Sequence, residues 1–366
     1  KKSELDLYST MSPASKSTVG VELRDLGDIG SEPVLICGGA YSNLQAFEAL
    51  LEQAHKLGIR PERIIHTGDV VAYCANPRET SQALRDSKVV CVMGNCEESV
   101  GEGKVDCGCG FPSDSLCNTF AANWYAYTIQ QLHGATELAE WMGDMPRRVE
   151  FQLAGRRFAV IHGAPSLINK FIFPSATDEE LLEEFRLLPH VDAIVGGHSG
   201  LPFTRIVSQA SSGRDTSLLW HNSGALGMPA NDGTTRVWFS TLTPKEGGIE
   251  VEVHALTYDH KAASDAVLKS KVLNRGYGDA LITGIWPSQD ILPMDEALSA
   301  GVALDPRKLG AFWRSSSSRR RMYIDASIAN VMSKAIASPA FMLAVGMSVA
   351  VAVAAFAAKR KASLSS

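Results

Sequence analysis

Four polar side chains stand where apolar runs of the sequence end. They are Asp69, Asn95, His162 and His198, and three of the four directly follow a glycine. A carboxylate, an amide oxygen and two imidazoles form a mixed oxygen and nitrogen ligand set that suits Mn, Fe or Zn. A single histidine after a strand is more often structural, but four such residues at successive strand ends predict a metal centre.

The elements that must position these side chains alternate between strands and helices. After the first apolar run, residues 44–54 carry apolar side chains at helical spacing, with Ser42 or Asn43 as the cap. Such alternation predicts an α/β fold, in which sites form at the carboxyl ends of the strands. A helical stretch is predicted around 118–145. The predicted strands are 33–37, 63–66, 89–93, 157–161, 193–195, 217–221, 235–242 and 249–255.

Composition and charge limit the classes of function. The 366 residues carry a net charge of −5, and 45% of them are hydrophobic, which favours a folded protein with a substantial core. Lysine and arginine dominate no long stretch of the chain. Because phosphate backbones are bound by basic surfaces, the sequence argues against nucleic acid as a partner.

Over roughly residues 33–258 the sequence resembles the calcineurin-like metallophosphoesterases, and among them the small bacterial phosphodiesterases. The motifs of that family are, in order, D-x-H, G-D, G-N-H-[DE], H-G and G-H-T-H. The matching segments here are 38–40 (GGA, the motif-one segment), 68–69 (GD), 94–97 (GNCE), 162–163 (HG), 197–200 (GHSG) and a late loop, 221–230 (HNSGALGMPA). The resemblance implies a four-layer α/β/β/α sandwich.

The resemblance also implies two adjacent metal ions, and the sequence departs from it on one side only. Gly38, Ala40 and Gly200 stand where the ligands exclusive to one metal are expected, and none of these residues can bind a metal. The ligands of the other metal all remain, and they are the four residues that end the apolar runs. We therefore expect a centre that holds one divalent transition metal: Mn, Fe or Zn.

The expected activity is hydrolysis of a phosphate mono- or diester, with the four metal ligands as the catalytic residues. One metal can activate water and polarise a phosphoryl oxygen, with less stabilisation of the transition state than two metals supply. In the family a histidine that assists the leaving group occupies the position of Cys96, which is a poorer general acid. Two alternatives remain open, a metal-binding protein without catalysis and a metal-free relic.

Other residues are predicted to support the site or to contact substrate. They are Asn43, Cys96, His66 and Asn222. For His66, a packed position in a strand is an equal alternative. Cys107, Cys109 and Cys117 lie close together in sequence and offer thiols for a structural zinc ion. Free thiols or one local disulfide are the alternative for this cluster.

The ends of the chain differ from the body. The sequence predicts a flexible arm at 1–19, a phosphoesterase-like domain at 20–287, a linker with an interfacial helix at 288–338, a transmembrane anchor at 339–361 and a tail at 362–366. Residues 340–358 carry no charge, and about 20 apolar residues span a bilayer as a helix. A buried alanine-rich core helix is the alternative.

These ends predict a location and a second function. The first residue is Lys1 rather than Met, which fits a cleaved targeting segment. We expect a single-pass, tail-anchored protein of an organellar membrane, either the mitochondrial inner membrane or the thylakoid membrane. The rival to the enzyme is then a degenerate phosphoesterase domain that serves as an accessory subunit of a membrane complex, with other subunits as its partners.

Overall fold

The structure, a computed structural model, describes residues 22–211 and 214–314. The strands are β1 Leu23–Asp28, β2 Val34–Cys37, β3 Ile64–His66, β4 Val90–Cys91, β5 Arg148–Leu153, β6 Arg156–Val160, β7 Ala193–Gly196, β8 Pro202–Ser211, β9 Arg214–Ser223, β10 Val237–Lys245, β11 Gly248–Leu256 and β12 Ala311–Arg314. They form two six-stranded sheets. Sheet one has the order β1-β5-β6-β7-β9-β8, and sheet two has the order β12-β11-β10-β2-β3-β4.

Helices connect many of these strands. The α-helices are α1 Leu44–Lys56, α2 Pro77–Asp86, α3 Asn95–Gly101, α4 Leu116–Leu132, α5 Thr136–Gly143, α6 Asp178–Leu187, α7 His260–Ser270, α8 Arg275–Thr283 and α9 Met294–Leu298. Short 3₁₀-helices lie at Pro61–Arg63 and Pro306–Lys308. The side chain of Asn43 caps α1 by accepting a hydrogen bond from the amide of Ala46, as the sequence predicts.

Side-chain alternation along the strands builds the core between the two sheets. In β2, Val34 and Ile36 belong to the same buried cluster as Phe151 of β5, whereas Leu35 and Cys37 belong to a second cluster on the opposite face. Each fully buried aliphatic side chain of this kind contributes about 1.5–3 kcal/mol to stability. The sheets therefore pack face to face through alternate residues of their strands.

Helices cover the outer faces of both sheets. On sheet two, Leu35 packs with Phe47 and Leu50 of α1, and α2, α4, α5, α7 and α8 contribute to the same cluster. On sheet one, Ile194 of β7 packs with Phe185 of α6. The layers are thus helices, sheet two, sheet one and helix, and the described residues have the α/β class that the alternating pattern indicates.

Every predicted strand overlaps an observed one, but the sequence analysis missed four. These are β1, β5, β8 and β12. The predicted helical stretch at 118–145 is two helices, because the chain turns between α4 and α5 at Gly134, which has a φ of +79°. Strands such as β12 are short and are stabilised by pairing with a neighbour distant in sequence, which local patterns do not reveal.

The boundary predicted at 287 is too early. The compact unit extends to Arg314, because β12 pairs with β11 in antiparallel register and completes sheet two. Trp313 of β12 is only 1% exposed, packs in the core between the sheets, and donates a hydrogen bond from its indole nitrogen to Ser217 Oγ at 3.1 Å. The segment 288–314 is therefore part of the folded domain and not a linker.

The predicted arm, interfacial helix, anchor and tail fall almost wholly outside the described residues. The helices of the described segments include none with both the length and the apolar character needed to cross a membrane. The stretch at 339–361 is not among those segments.

Candidate metal centre

The structure brings the four predicted ligands together at one edge of the sandwich. Asp69 follows β3, Asn95 is the first residue of α3 after β4, and the two histidines follow β6 and β7. Strands β3 and β4 run parallel, as do β6 and β7, so each pair delivers its loops to the same end. Among the described residues, Asp69, His162 and His198 are the one group of three His, Cys, Asp or Glu side chains whose ligand atoms all lie within 4.8 Å of one another.

His162 lies at the centre of this group. Its Nε2 atom is 3.1 Å from Asn95 Oδ1, 3.0 Å from His198 Nδ1 and 3.3 Å from Asp69 Oδ2. Its Nδ1 atom is 2.7 Å from the carbonyl oxygen of Thr67, which can only accept, so Nδ1 carries the proton and donates. In neutral His162 the lone pair of Nε2 therefore faces the lone pairs of three other atoms.

This arrangement fits a divalent metal ion. Four lone pairs that face one point repel each other unless a cation or a proton lies between them. With metal–ligand bonds of about 2.0–2.2 Å, neighbouring ligand atoms are separated by roughly 3.0–3.5 Å, which agrees with the observed spacing. The four residues would hold the metal, and the hydrogen bond from His162 to Thr67 would fix the ring and its tautomer.

Glycine at position 68 allows the loops to approach this closely. Gly68 has a φ of +95°, and a Cβ atom there would lie 2.6 Å from the amide nitrogen of Gly94 and 2.8 Å from His162 Nδ1. Asp69 also has a left-handed backbone, with a φ of +62°, which is unfavourable for a non-glycine residue. The close contact and the strained backbone turn the Asp69 carboxylate into the site.

Glu97 supports this strained turn, a role that the sequence analysis did not assign. Its fully buried carboxylate accepts hydrogen bonds from the amides of Gly94, Asp69 and Val70 at 2.7–2.8 Å. Burial and the charge of Asp69 raise the pKa of Glu97 to about 7. Its place three residues after the Gly94 cap was the available signal, because Glu at this position of a helix reaches back to the cap.

The ligands influence each other's protonation. Burial alone raises the pKa of Asp69, but the charge of His162 and the hydrogen bond to it outweigh burial and lower the pKa to about 2. For His162, burial lowers the pKa, but Asp69 and the Thr67 carbonyl outweigh that effect and raise it. Burial and the charge of His162 lower the pKa of His198 to about 3. Without metal, a proton on His162 can occupy the point at which the ligands meet, so metal and proton compete.

Known proteins resemble this chain in sequence and in fold. The sequence profile of the calcineurin-like phosphoesterase superfamily domain matches residues 34–244, more than half of the chain. The chain belongs to this superfamily. It is 24% identical over 267 residues to an uncharacterized protein of Methanocaldococcus jannaschii, a match that covers 69% of this chain and 98% of that protein.

Two solved structures share the fold of this phosphoesterase-superfamily chain. A metallophosphoesterase from Sphaerobacter thermophilus is 21% identical, with a TM-score of 0.53, and the match covers 70% of this chain and all of that one. A hypothetical protein from Pyrococcus horikoshii is 17% identical, with a TM-score of 0.57, and the match covers 69% and 99% of the two chains.

On the motif-one side the backbone leaves no room for a side chain at position 38, where the family has a metal ligand. A side chain at Gly38 would overlap the carbonyl oxygen of Gly224 in the late loop, and a side chain at Gly227 would overlap the carbonyl oxygen of Ala40. The amides of Leu226 and Gly227 donate to the carbonyl oxygen of Gly39 at 3.1 and 2.7 Å. The late loop therefore packs directly against the backbone of the motif-one segment.

Three of the predicted supporting residues hold the loops. Asn222 Nδ2 donates to the carbonyl oxygen of Gly197 at 2.8 Å and to Ser199 Oγ at 3.0 Å, so it fixes both sides of His198. Asn43 Nδ2 donates to the carbonyl oxygen of Gly227 at 2.9 Å. His66 Nε2 lies 3.1 Å from the amide nitrogen of Ala40, and burial lowers its pKa to about 3. Asn222 acts directly on the loop of His198, and His66 acts on the loop of Asp69 because its Nδ1 accepts a hydrogen bond from the amide of Gly68 at 3.2 Å.

The cysteines do not form the predicted zinc site. Cys107, Cys109 and Cys117 are not a group of ligand atoms within binding distance, and Cys117 instead donates to Ser288 Oγ at 3.4 Å. Cys96 is fully buried, and its backbone amide lies 3.3 Å from Asp69 Oδ1. Cys96 is not among the residues that line the pocket beside the ligands, so it supports Asp69 rather than contacting substrate. Cys109 does line that pocket.

The ligands open into one pocket of about 720 Å³, a volume that includes space open to solvent. Asp69 and His198 lie in its wall, together with Ser199 and Met228. Seven aromatic side chains also line it. They are Tyr41, Tyr73, Phe111, Phe120, Phe171, Tyr277 and Trp286.

Proposed function

We propose that this protein is a phosphoesterase that works with one divalent transition metal, bound by Asp69, Asn95, His162 and His198. The observation that carries the proposal is the convergence of four potential ligand atoms beside a pocket, at a spacing that fits a bound divalent cation. Membership of the superfamily supports the reaction class, hydrolysis of a phosphate mono- or diester.

The chain's own residues position and enclose the reaction. When bound, the metal supplies Lewis-acid polarisation of the phosphoryl group and activation of water. Asn222 holds the loop of His198 from both sides, and Glu97 holds the backbone of Asp69, so both ligands are fixed before substrate arrives. The aromatic walls displace water from the pocket, which strengthens the electrostatic interactions inside it.

The experiment measures metal content and ester hydrolysis on the same preparation. The full chain is purified without chelator, loaded with Mn²⁺ or Zn²⁺, and assayed with 4-nitrophenyl phosphate and bis(4-nitrophenyl) phosphate. A His162→Ala variant tests the centre, and His55→Ala, an exposed position on α1, is the control. We expect the unaltered chain and the His55→Ala control to bind one equivalent of metal and to hydrolyse the esters. His162→Ala should lose both properties.

The missing motif-one ligands favour a second candidate. A domain that has lost one metal position suits an accessory subunit of a membrane complex, which would bind metal without catalysis. One equivalent of metal with no hydrolysis would support this candidate, and absence of metal after loading would overturn the one-metal centre. Detergent extraction and sizing provide a second test, because a subunit should migrate far above the 39.3 kDa of the chain. Anchoring at 339–361 remains a prediction.

A further inference from the structure

By their ring contacts, the aromatic side chains of the pocket fall into two groups, which form its two aromatic walls. Phe171 lies against the His198 ring, with centroids 4.1 Å apart, and stacks with Phe111 at 6.0 Å. On the other wall, Tyr73 packs against Tyr41 and Tyr277, each with centroids 4.9 Å away. One wall thus leads directly to a metal ligand, where the reacting phosphorus would lie.

Several of these rings are incompletely buried. Tyr73, Phe111, Phe120, Phe171 and Trp286 all keep partial exposure although they lie around one pocket. Aromatic surface that remains in contact with water is unfavourable, and its concentration beside a polar centre is typical of a site that binds an apolar group. Flat rings bind other flat rings in stacked or edge-to-face arrangements, with a gain beyond simple burial.

The pocket also lacks cationic side chains. None of the described residues that line it is lysine or arginine. Lys170 directly precedes Phe171, but its ammonium group pairs with Glu184 Oε1 at 2.6 Å. Arg236 pairs with Asp232 at 2.9 Å, and neither residue lines the pocket. Positive charge for a phosphate would therefore come from the metal alone.

Charge balance then separates two classes of substrate. A divalent metal with the single carboxylate of Asp69 leaves a net charge of about +1. A phosphodiester carries one negative charge and neutralises the site, whereas a dianionic monoester leaves uncompensated negative charge in an apolar pocket. The charge of the site therefore favours the diester.

We infer that this site takes a singly charged phosphodiester in which at least one ester group is a flat aromatic ring. The inference rests on the proposed metal-dependent site and names its substrate class. The ring would lie between the two aromatic walls, and the phosphate would face Asp69 and His198.

Binding rather than turnover tests the inference. The metal-loaded full chain is titrated calorimetrically with diphenyl phosphate, diethyl phosphate and phenyl phosphate, which separate the aromatic ring from the charge. We expect diphenyl phosphate to bind at least about 10-fold more tightly than either of the others. Its preference over diethyl phosphate should persist without metal, because the rings and not the metal produce it.

A matched pair of variants locates the effect. Phe171→Leu removes a ring from the wall, whereas Phe173→Leu alters the neighbouring ring, which stacks on Phe171 but does not line the pocket. We expect Phe171→Leu to weaken the binding of diphenyl phosphate about 5-fold or more, with little effect on the binding of diethyl phosphate. Phe173→Leu should change neither affinity. Phe111→Leu replaces Phe171→Leu if thermal melting shows that the latter is unfolded.

The outcomes separate this inference from the proposed function. Equal affinity for diphenyl and diethyl phosphate, or tighter binding of phenyl phosphate, overturns the substrate class even if esters are hydrolysed. Selective binding of diphenyl phosphate without hydrolysis of any 4-nitrophenyl ester supports the inference and overturns the catalytic proposal.

Discussion

The two sides of the candidate site differ in how their polar groups are satisfied. On the ligand side, four lone pairs meet at one point and need a cation or a proton. On the motif-one side, the amides of Leu226 and Gly227 already bond to the carbonyl oxygen of Gly39, and Gly38 lies against the backbone of Gly224. The polar groups of the first side could be satisfied by an ion, whereas the carbonyl oxygen of Gly39 on the second side is already satisfied by the late loop.

This difference bears on how the chain departs from its superfamily. Loss of ligands alone would leave a cavity where the second metal is expected, and cavities are destabilising. Here the late loop packs against the motif-one segment through glycines that allow close backbone contact. The altered motif-one segment is therefore part of the packing of the domain.

The largest expected effect comes from removing the only carboxylate among the four candidate ligands. Asp69→Asn keeps the shape of the side chain but removes its charge, so metal affinity should fall by more than about 100-fold, the upper range for losing an outer-shell partner. Competition with a chelating dye measures this affinity. Asp86→Asn at the end of α2 is the control, and an unchanged affinity in Asp69→Asn would place the metal elsewhere.

Restoring the family's aspartate should not restore a second metal. In Gly38→Asp the new side chain overlaps the carbonyl oxygen of Gly224, so we expect the variant to lose about 3 kcal/mol of stability and still to bind one equivalent. Denaturant unfolding and metal analysis provide the measurements.

The control for this variant is Gly278→Ala in α8, where a Cβ atom would lie 3.2 Å from the flexible Leu268 side chain and in ordinary contact with the carbonyl oxygen of Ser264 at 3.4 Å. It should change stability by less than about 1 kcal/mol. A stable Gly38→Asp protein with two metal ions would show that the motif-one side is open in solution.

Glu97→Gln should weaken the ligand side without touching a ligand. A glutamine has one acceptor oxygen, so at least one of the three amides that donate hydrogen bonds to Glu97 loses its partner. This loss should lower the free energy of unfolding by about 2 kcal/mol. Glu98→Gln is the neighbouring control, since Glu98 lies in partly exposed ion pairs with Lys104 and Arg147. Equal melting temperatures for the two variants would contradict the role of Glu97.

A smaller effect should appear in the pH dependence of the motif-one side. Burial lowers the pKa of His66 to about 3, so below the ordinary histidine value of about 6.5 the unfolded chain binds a proton that the folded chain does not. The free energy of unfolding should therefore decrease as the pH is lowered from about 6.5 to 3, by up to about 1.4 kcal/mol per pH unit for one proton.

His66→Gln should make that slope shallower in the metal-free chain. Denaturant unfolding at several pH values measures it, with the exposed His55→Gln variant as control. A slope unchanged from that of the unaltered chain would show that His66 takes up its proton without unfolding.

Sequence patterns were most informative where apolar runs end in polar residues. The four candidate ligands could be predicted to lie together because each follows a buried strand, and the strand ends of an α/β fold lie at one edge. Strand β12 and the domain boundary at Arg314 could not be predicted. The four residues of β12 form a strand because they pair with β11 and because Trp313 is buried. Glu97 had a local signal, but its three amide partners lie in two different loops.

The sequence by itself determined the class of fold, the family and the identity of the side chains that can bind a metal, since these follow from local periodicity and residue chemistry. The tertiary structure decided which of these side chains meet, that the cysteines do not join them, and that the late loop packs against the motif-one segment. It also placed aromatic rings from distant segments around one pocket. These features depend on distances between atoms far apart in the chain, which only the packing of the two sheets fixes.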